Sequence, residues 1–247
     1  MRHARHPTVP ESTTPSEQPD RARRAQRVLR LLDDFGTCAD QQTRLLDIGC
    51  RQGGMSAVFA SRAGEVFGVD IDAAAVAHAK RRSAGTRNLH FVAADAMQLP
   101  FPDLSFDIIV CNHVYEHVND AQALMGEIHR VLRETGVCYF AGGHSLQLIE
   151  PHHRLPLLSW LPRPLASLVV RATGKGSAYA ETFLAPWRMK SLFRRFSRAD
   201  WLTGAVIRDA ARYELLPTRR PLLELLLKRT PAWTSWLAPT YLWLLRK

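Results

Sequence analysis

From residue 44 onward the chain alternates short apolar runs with amphipathic stretches: "RLLDIG" then "MSAVFASRA", "EVFGVDI" then "AAAVAHAKRR", "LHFVAAD", "FDIIVCN" then "AQALMGEIHRVLRE", and "GVCYFAGG". Runs of strand length that are apolar on both faces, separated by helices, are what parallel strands covered on both sides require. The pattern predicts an α/β fold with a doubly wound, mostly parallel sheet. Ahead of it, Val28, Leu31, Leu32 and Phe35 in "RARRAQRVLRLLDDF" (21–35) fall at helical spacing with arginines on the other face, which predicts a lead-in helix. Asn119 or Asp120 is placed to cap the helix after the fourth strand, and Gly136 to end it.

Beyond Gly143 the rhythm changes. "PHHRLPLLSWLPRPLASLVVRATGKG" (151–176) punctuates apolar stretches with prolines and predicts short helices over the open end of the sheet. "PWRMKSLFRRF" (186–196) returns to helix, and "WLTGAVIRD" reads as a strand. "RRPLLELLLKRTPAWTSWLA" (219–238) reads as an amphipathic helical excursion broken at Pro231, and "PTYLWLLRK" as the closing strand. Residues 1–20, rich in Pro, Ser, Thr and Glu, have few apolar anchors to offset the entropy of ordering and are expected to be a disordered tail. The expected division is that tail and a single domain over 21–247, with a lid inserted at 145–185 and the excursion at 217–238.

Composition narrows the class. With 247 residues and 46% apolar content the chain can fill a core. No stretch reaches the roughly 18 to 20 unbroken apolar residues of a spanning helix, and the first twenty residues lack the apolar centre of a signal peptide, so the expected address is cytoplasmic. Cys38, Cys50, Cys111 and Cys138 lie far apart without a C-x-x-C pair, which argues against a zinc site and a disulfide framework. The net charge of +10 is unevenly spread: residues 1–30 carry seven Arg against three acids, 31–143 nine Lys or Arg against fourteen, and 144–247 seventeen against six. The basic C-terminal part either faces something anionic or spreads its guanidinium groups over solvated surface.

In an open α/β sheet, ligands bind outside the carboxyl ends of the strands, where the strand order reverses. The turn "DIGCRQGG" after the first strand belongs there. Gly49 and Gly53 let the backbone bend tightly and leave room for a nucleotide-like ligand against bare amides. The second glycine of a dinucleotide fingerprint is missing, because Gly49 is followed by Cys50, Arg51 and Gln52; NAD is disfavoured. Three acids end three successive strands instead: Asp47, Asp70 and Asp95. Asp70, 21 positions past Gly49, suits ribose hydroxyls, and Asp47 favours a nearby cation. Against this, Asp72 and even Asp70 could cap the next helix, and Asp95 could close a turn.

Five ordered motifs over about residues 44–143 resemble the class I S-adenosylmethionine-dependent methyltransferases: "LLDIGCRQG", "VFGVDID", "AADAMQLPFPDLSFDIIVCNHVYEHV" carrying two, and "EIHRVLRETGVCYFAGG". The resemblance implies a Rossmann-like seven-stranded sheet with an antiparallel last strand and a helical lid. It implies S-adenosyl-L-methionine as cofactor, with Asp47 and Gly49 at the methionine amino end and Cys50, Arg51 and Gly53 completing the turn. It places Asp70 with Ile71 at the ribose, Asp95 with Ala96 at the adenine, and Asn112 at the methionine portion. Arg51 departs from the family, which usually has Gly there.

Methyl transfer needs alignment and, for a hydroxyl acceptor, removal of a proton. His117 is the leading candidate base, with Glu116 and His113 beside it; the alternative is that Glu116 caps a helix and His117 packs. Adjacent His152 and His153 have no acid or Cys spaced for coordination and are assigned to pocket or surface, so no metal is expected. Apolar and aromatic walls in "LPLLSWLPRPLASLVV" favour a small-molecule, lipid-linked or glycan acceptor, methylated on oxygen. The basic, Leu/Trp-rich C-terminal part also suits peripheral contact with an anionic inner membrane surface. Alternatives are an RNA or protein methyltransferase using Arg194, Arg195, Arg198, Arg208 and Arg212, with nucleic acid ranked second, and a non-catalytic nucleotide-binding partner protein.

Overall fold

A computed structural model describes residues 17–150, 152–214, 235, 238 and 240–247. Helices and strands alternate from the start: α1 (Glu17–Asp34), β1 (Arg44–Ile48), α2 (Gly54–Phe59), β2 (Glu65–Asp70), α3 (Ala73–Arg82), β3 (Leu89–Ala93), β4 (Phe106–Asn112), α4 (Ala121–Val131) and β5 (Leu132–Gly142). A short ribbon of β6 (Ile149–Glu150) and β7 (Leu155–Pro156) follows, then a 3-10 turn at Leu158–Trp160 and α5 (Arg163–Ala172). α6 (Pro186–Leu192), β8 (Arg198–Trp201), α7 (Thr203–Arg208) and β9 (Tyr241–Arg246) complete the described elements.

Seven strands form one sheet in the order β3-β2-β1-β4-β5-β9-β8. The first five are parallel, and β9 runs antiparallel to both β5 and β8. This is the doubly wound, mostly parallel architecture with an antiparallel last strand that the alternation and the family resemblance lead one to expect.

Alternation along each strand divides the core between two faces. Leu45, Ile108, Val110 and Tyr139 bury on one side with Val28, Leu31, Leu32 and Phe59. Leu46, Ile109, Cys111 and Phe140 bury on the other with Leu124, Ile128, Met189 and Phe193. Each such aliphatic side chain contributes about 1.5–3 kcal/mol on burial. Caps fix the helix starts: Asp72 accepts from the amides of Ala74 and Ala75, and Asp120 from those of Gln122 and Ala123. Cys50, Cys111 and Cys138 are buried free thiols, and Cys38 is exposed.

Several boundaries differ from the sequence reading. α1 already runs at Glu17, inside the tail expected over 1–20; residues 1–16 lie outside the described ones. α4 stops at Val131 because Leu132 turns extended and pairs with Phe106, so Gly136 does not end a helix but lies in a bulge between Leu132 and Val137 of β5. "WLTGAVIRD" is only the end of a strand: β8 stops at Trp201, and Leu202, Val206 and Ala210, four apart, bury one face of a helical segment. Residues 145–185, expected as a lid, form a short ribbon, a 3-10 turn and a helix, with a small core of their own around Leu158, Ala166, Val170 and Tyr179. Of the excursion over 217–238 only Ser235 and Ala238 are among the described residues. Among the described residues, no helix is long and apolar enough to cross a membrane.

Candidate active site

The strand order reverses between β1 and β4, since the chain goes from β1 to β2 on one side and returns to β4 on the other. The glycine turn sits at this switch point, its amides at Gly49 and Cys50 donating to the Val69 carbonyl. Gly49 has φ +76, and a Cβ there would stand 2.6 Å from Val114 Cγ2, so bare backbone is required between β1 and the loop after β4. Gly53, also at φ +76, begins α2. Between them Arg51, exposed, takes φ +49, a left-handed conformation that disfavours a side chain.

The three acids do not occupy equivalent places. Asp70, half-buried at the end of β2, accepts from the Arg51 amide at 2.7 Å and the Asp72 amide at 3.0 Å, so it ties the turn to the second strand at the open edge. Ile71 beside it is 63% exposed, an apolar side chain at that edge with little to cover it. Asp95, half-buried two residues past β3, accepts from the Met97 amide at 2.8 Å and thus closes a turn, with Ala96 half-buried next to it. Asp47 lies beneath the turn: it is 3% exposed and accepts from the Ser56 hydroxyl at 2.5 Å. Burial pushes its carboxyl up to about 7, against the pull of the Ser56 hydrogen bond and with a smaller push from Asp70. Ser56, on the first turn of α2, had no place in the sequence reading; a hydroxyl just past the glycines was its only trace. Cys50 is buried, and burial raises its thiol far above the usual range.

Asn112 ends β4 half-buried at the same edge. Just beyond it His113, at φ +56, bonds through Nδ1 to Glu116 Oε1 at 2.8 Å. Burial opposes ionisation of Glu116, but the hydrogen bond and charge of His113 more than offset it and hold the carboxyl below its ordinary range. The capping alternative for Glu116 is thereby replaced: Asp120 caps α4 and Glu116 engages His113. His117 is held below its ordinary range by burial, partly offset by Glu116. His144 instead stacks on Tyr241 and meets the Ala238 carbonyl, a packing role.

The edge joins a bare turn, the Asp70 carboxylate, the Ile71 side chain and the half-buried Asp95 and Asn112, an arrangement that fits a ribose-bearing ligand with cationic groups. Two open depressions lie elsewhere. One of about 730 Å³ follows α4 and includes Glu127, Arg130 and Arg195; one of about 380 Å³ runs beside Tyr115, Val118 and Leu184. Neither is lined by Asp47, Asp70 or Asp95. Arginines expected to cluster for phosphates are partly engaged within the fold, Arg198 with Asp200 at 2.8 Å and Arg212 with Asp34.

Residues 46–140 match a family described as a methyltransferase domain. Over 95 residues the chain is 37% identical to "Uncharacterized methyltransferase YcgJ" of Bacillus subtilis, covering 38% of either protein. Over 131 residues it is 31% identical to demethylmenaquinone methyltransferase of Staphylococcus aureus, covering 51% of this chain and 54% of that one. The chain thus spans about half or less of the length of these curated relatives. A crystal structure of geranyl diphosphate C-methyltransferase from Streptomyces coelicolor, with Mg2+, geranyl diphosphate and S-adenosyl-L-homocysteine, shares the fold at a TM-score of 0.56 and 18% identity, covering 90% of this chain and 77% of that one. The matched span runs from β1 through most of β5 and contains the glycine turn, Asp70, Asp95, Asn112 and the His113–Glu116 pair. Over residues 46–140 the chain is thus similar to a methyltransferase domain, and its sheet has the fold of the solved methyltransferase structure.

Proposed function

We propose that the chain transfers a methyl group from S-adenosylmethionine to an oxygen of a small-molecule, lipid-linked or glycan acceptor held under the lid. The observation that carries this reading is that the glycine turn, Asp70 and Asn112 lie at the carboxyl ends of β1, β2 and β4 around the switch point, with Asp95 past the end of β3 on the same side. When bound, the cofactor supplies the activated methyl group. The chain's own residues do the remaining work. Asp70 accepts from the ribose hydroxyls, the turn from Gly49 to Gly53 gives the nucleoside room, and Asn112 meets the methionine portion. Methyl displacement from a sulfonium releases neutral sulfur, so alignment and exclusion of water carry most of the catalysis. For an oxygen acceptor a proton must also leave. In place of His117, the leading candidate from the sequence, His113, its Nδ1 engaged by Glu116, has the arrangement of a base oriented by a carboxylate.

The lid supports an apolar acceptor. Leu148, Ile149, Leu157, Trp160, Leu165 and Leu168 are exposed on it, among the cations Arg154, Arg163, Arg171 and Lys175. Leu/Trp surface set among cations suits an anionic membrane face, and we place the protein in the cytoplasm with peripheral contact there. A relative named for demethylmenaquinone and a structural neighbour named for geranyl diphosphate agree with a lipid-like acceptor.

Calorimetric titration with S-adenosylmethionine and with NAD tests the central reading. Binding of the first alone, lost in Asp70→Ala, is expected; equal binding of both, or of neither, defeats it. Flotation with anionic and zwitterionic vesicles tests the surface, with retention by the anionic ones expected to fall as salt rises.

A further inference from the structure

His152 and the Glu116–His117 pair, more than thirty residues apart in the chain, meet between the loop after β4 and the β6–β7 ribbon. One carboxylate oxygen of Glu116 and one ring nitrogen each of His117 and His152 lie within 4.8 Å of one another. Glu116 is 1% exposed; its Oε1 is taken by His113, while Oε2 is buried with no hydrogen-bond partner among the described residues. A buried carboxylate oxygen with nothing to accept from is costly and calls for an occupant.

The surroundings hold the three side chains in place. Buried Glu150 accepts from the backbone amides of His152, at 3.1 Å, and His153, at 2.5 Å, which fixes the ribbon's turn. The Thr182 amide donates to the Glu116 carbonyl at 2.9 Å, so the far end of the lid is tied to the same loop. The His152 ring lies edge-on to His117, with centroids 4.9 Å apart, and stacks on Phe183.

We propose that Glu116, His117 and His152 form a binding site for a divalent transition-metal cation of the zinc type, on the acceptor side of the carboxyl edge. A cation at the centre of three atoms no more than 4.8 Å apart stands within about 2.8 Å of each, and small rotations close that to the roughly 2.0–2.2 Å of zinc bonds to nitrogen and oxygen. Two imidazoles and one carboxylate suit zinc and its first-row neighbours over magnesium or calcium, which prefer oxygen throughout. His113 on the other carboxylate oxygen supplies the outer-shell bond that orients such a ligand. Three protein ligands leave a coordination position open, and an acceptor oxygen placed there would lose its proton more readily. That use of the site rests on the methyltransferase reading; the binding of the metal does not.

Zinc is titrated calorimetrically into the metal-free full-length chain, into Glu116→Gln and His152→Ala, and into a control variant at an exposed histidine of β3 outside the cluster, His90→Ala, with cobalt absorption reporting ligand geometry. One equivalent is expected to bind to wild type and to His90→Ala, with affinity at least about tenfold weaker in the other two. His152 is exposed and outside the cofactor residues, so His152→Ala should stay folded by circular dichroism and keep its S-adenosylmethionine affinity even if Glu116→Gln does not. Absence of a single equivalent in wild type, or equal affinity in wild type and His152→Ala, overturns the site. S-adenosylmethionine binding measured without zinc separates this outcome from failure of the methyltransferase reading.

Discussion

Replacing Asp47 by Asn tests how the turn is supported from below. The carboxyl is 3% exposed, and burial raises it from 3.8 to about 7. Between pH 4 and 7 the folded protein therefore holds a proton at Asp47 that the unfolded chain has released. Because the native state binds more protons there, stability falls as pH rises through that window. Asp47 contributes fully below pH 4, where it is protonated in both states, and its contribution is gone above pH 7. At about 1.36 kcal/mol per pH unit, the difference between 3.8 and about 7 amounts to about 4 kcal/mol. Asparagine has the same shape, keeps an acceptor for the Ser56 hydroxyl and does not ionise. Urea unfolding followed by tryptophan fluorescence, repeated from pH 4 to 8 on both proteins without cofactor, gives the difference directly, since the other carboxyls cancel. The wild type should lose about 4 kcal/mol relative to Asp47→Asn over that range and be the less stable at pH 8. Parallel pH profiles for the two proteins would refute the burial argument.

Other changes at the same edge have predictable signs. Gly49→Ala forces a Cβ to 2.6 Å from Val114 at a positive φ and should cost about 1–3 kcal/mol by urea midpoint, with S-adenosylmethionine affinity falling in calorimetry. Arg51→Gly removes roughly 1–2 kcal/mol of left-handed strain and adds about 0.5–1 kcal/mol of unfolded-chain entropy, so a net gain of about 0.5–1 kcal/mol is expected in the same measurement. Tyr115 donates to the Gly143 carbonyl at 2.5 Å and accepts from the Leu184 amide, joining β5 to the lid; Tyr115→Phe leaves both groups unpaired and should cost about 1–3 kcal/mol in thermal or urea unfolding.

The sequence by itself determined the architecture and much of the edge. Apolar alternation over "RLLDI", "EVFGVD" and "FDIIVCN" is a local signal, so the parallel strands and the order of their acids follow from it. Asp72 and Asp120 reveal helix starts because a cap bonds within three residues. Two boundaries went to the longer-range packing: Leu132 leaves α4 to pair with β4, and the apolar run after Trp201 coils because Leu202, Val206 and Ala210 bury one helical face. Only the tertiary structure decided how deep each acid lies. Asp47, one residue short of the end of β1 and level with Gly68, and Asp70, the last residue of β2, look alike in sequence, yet Ser56 and the turn cover the first and leave the second at the edge. It alone also set His152 against Glu116 and His117, since the reach of the lid depends on Glu150, Thr182 and Phe183 packing across the fold. Periodicity records which side of an element is apolar; which distant element comes to lie against it is fixed when the whole core closes.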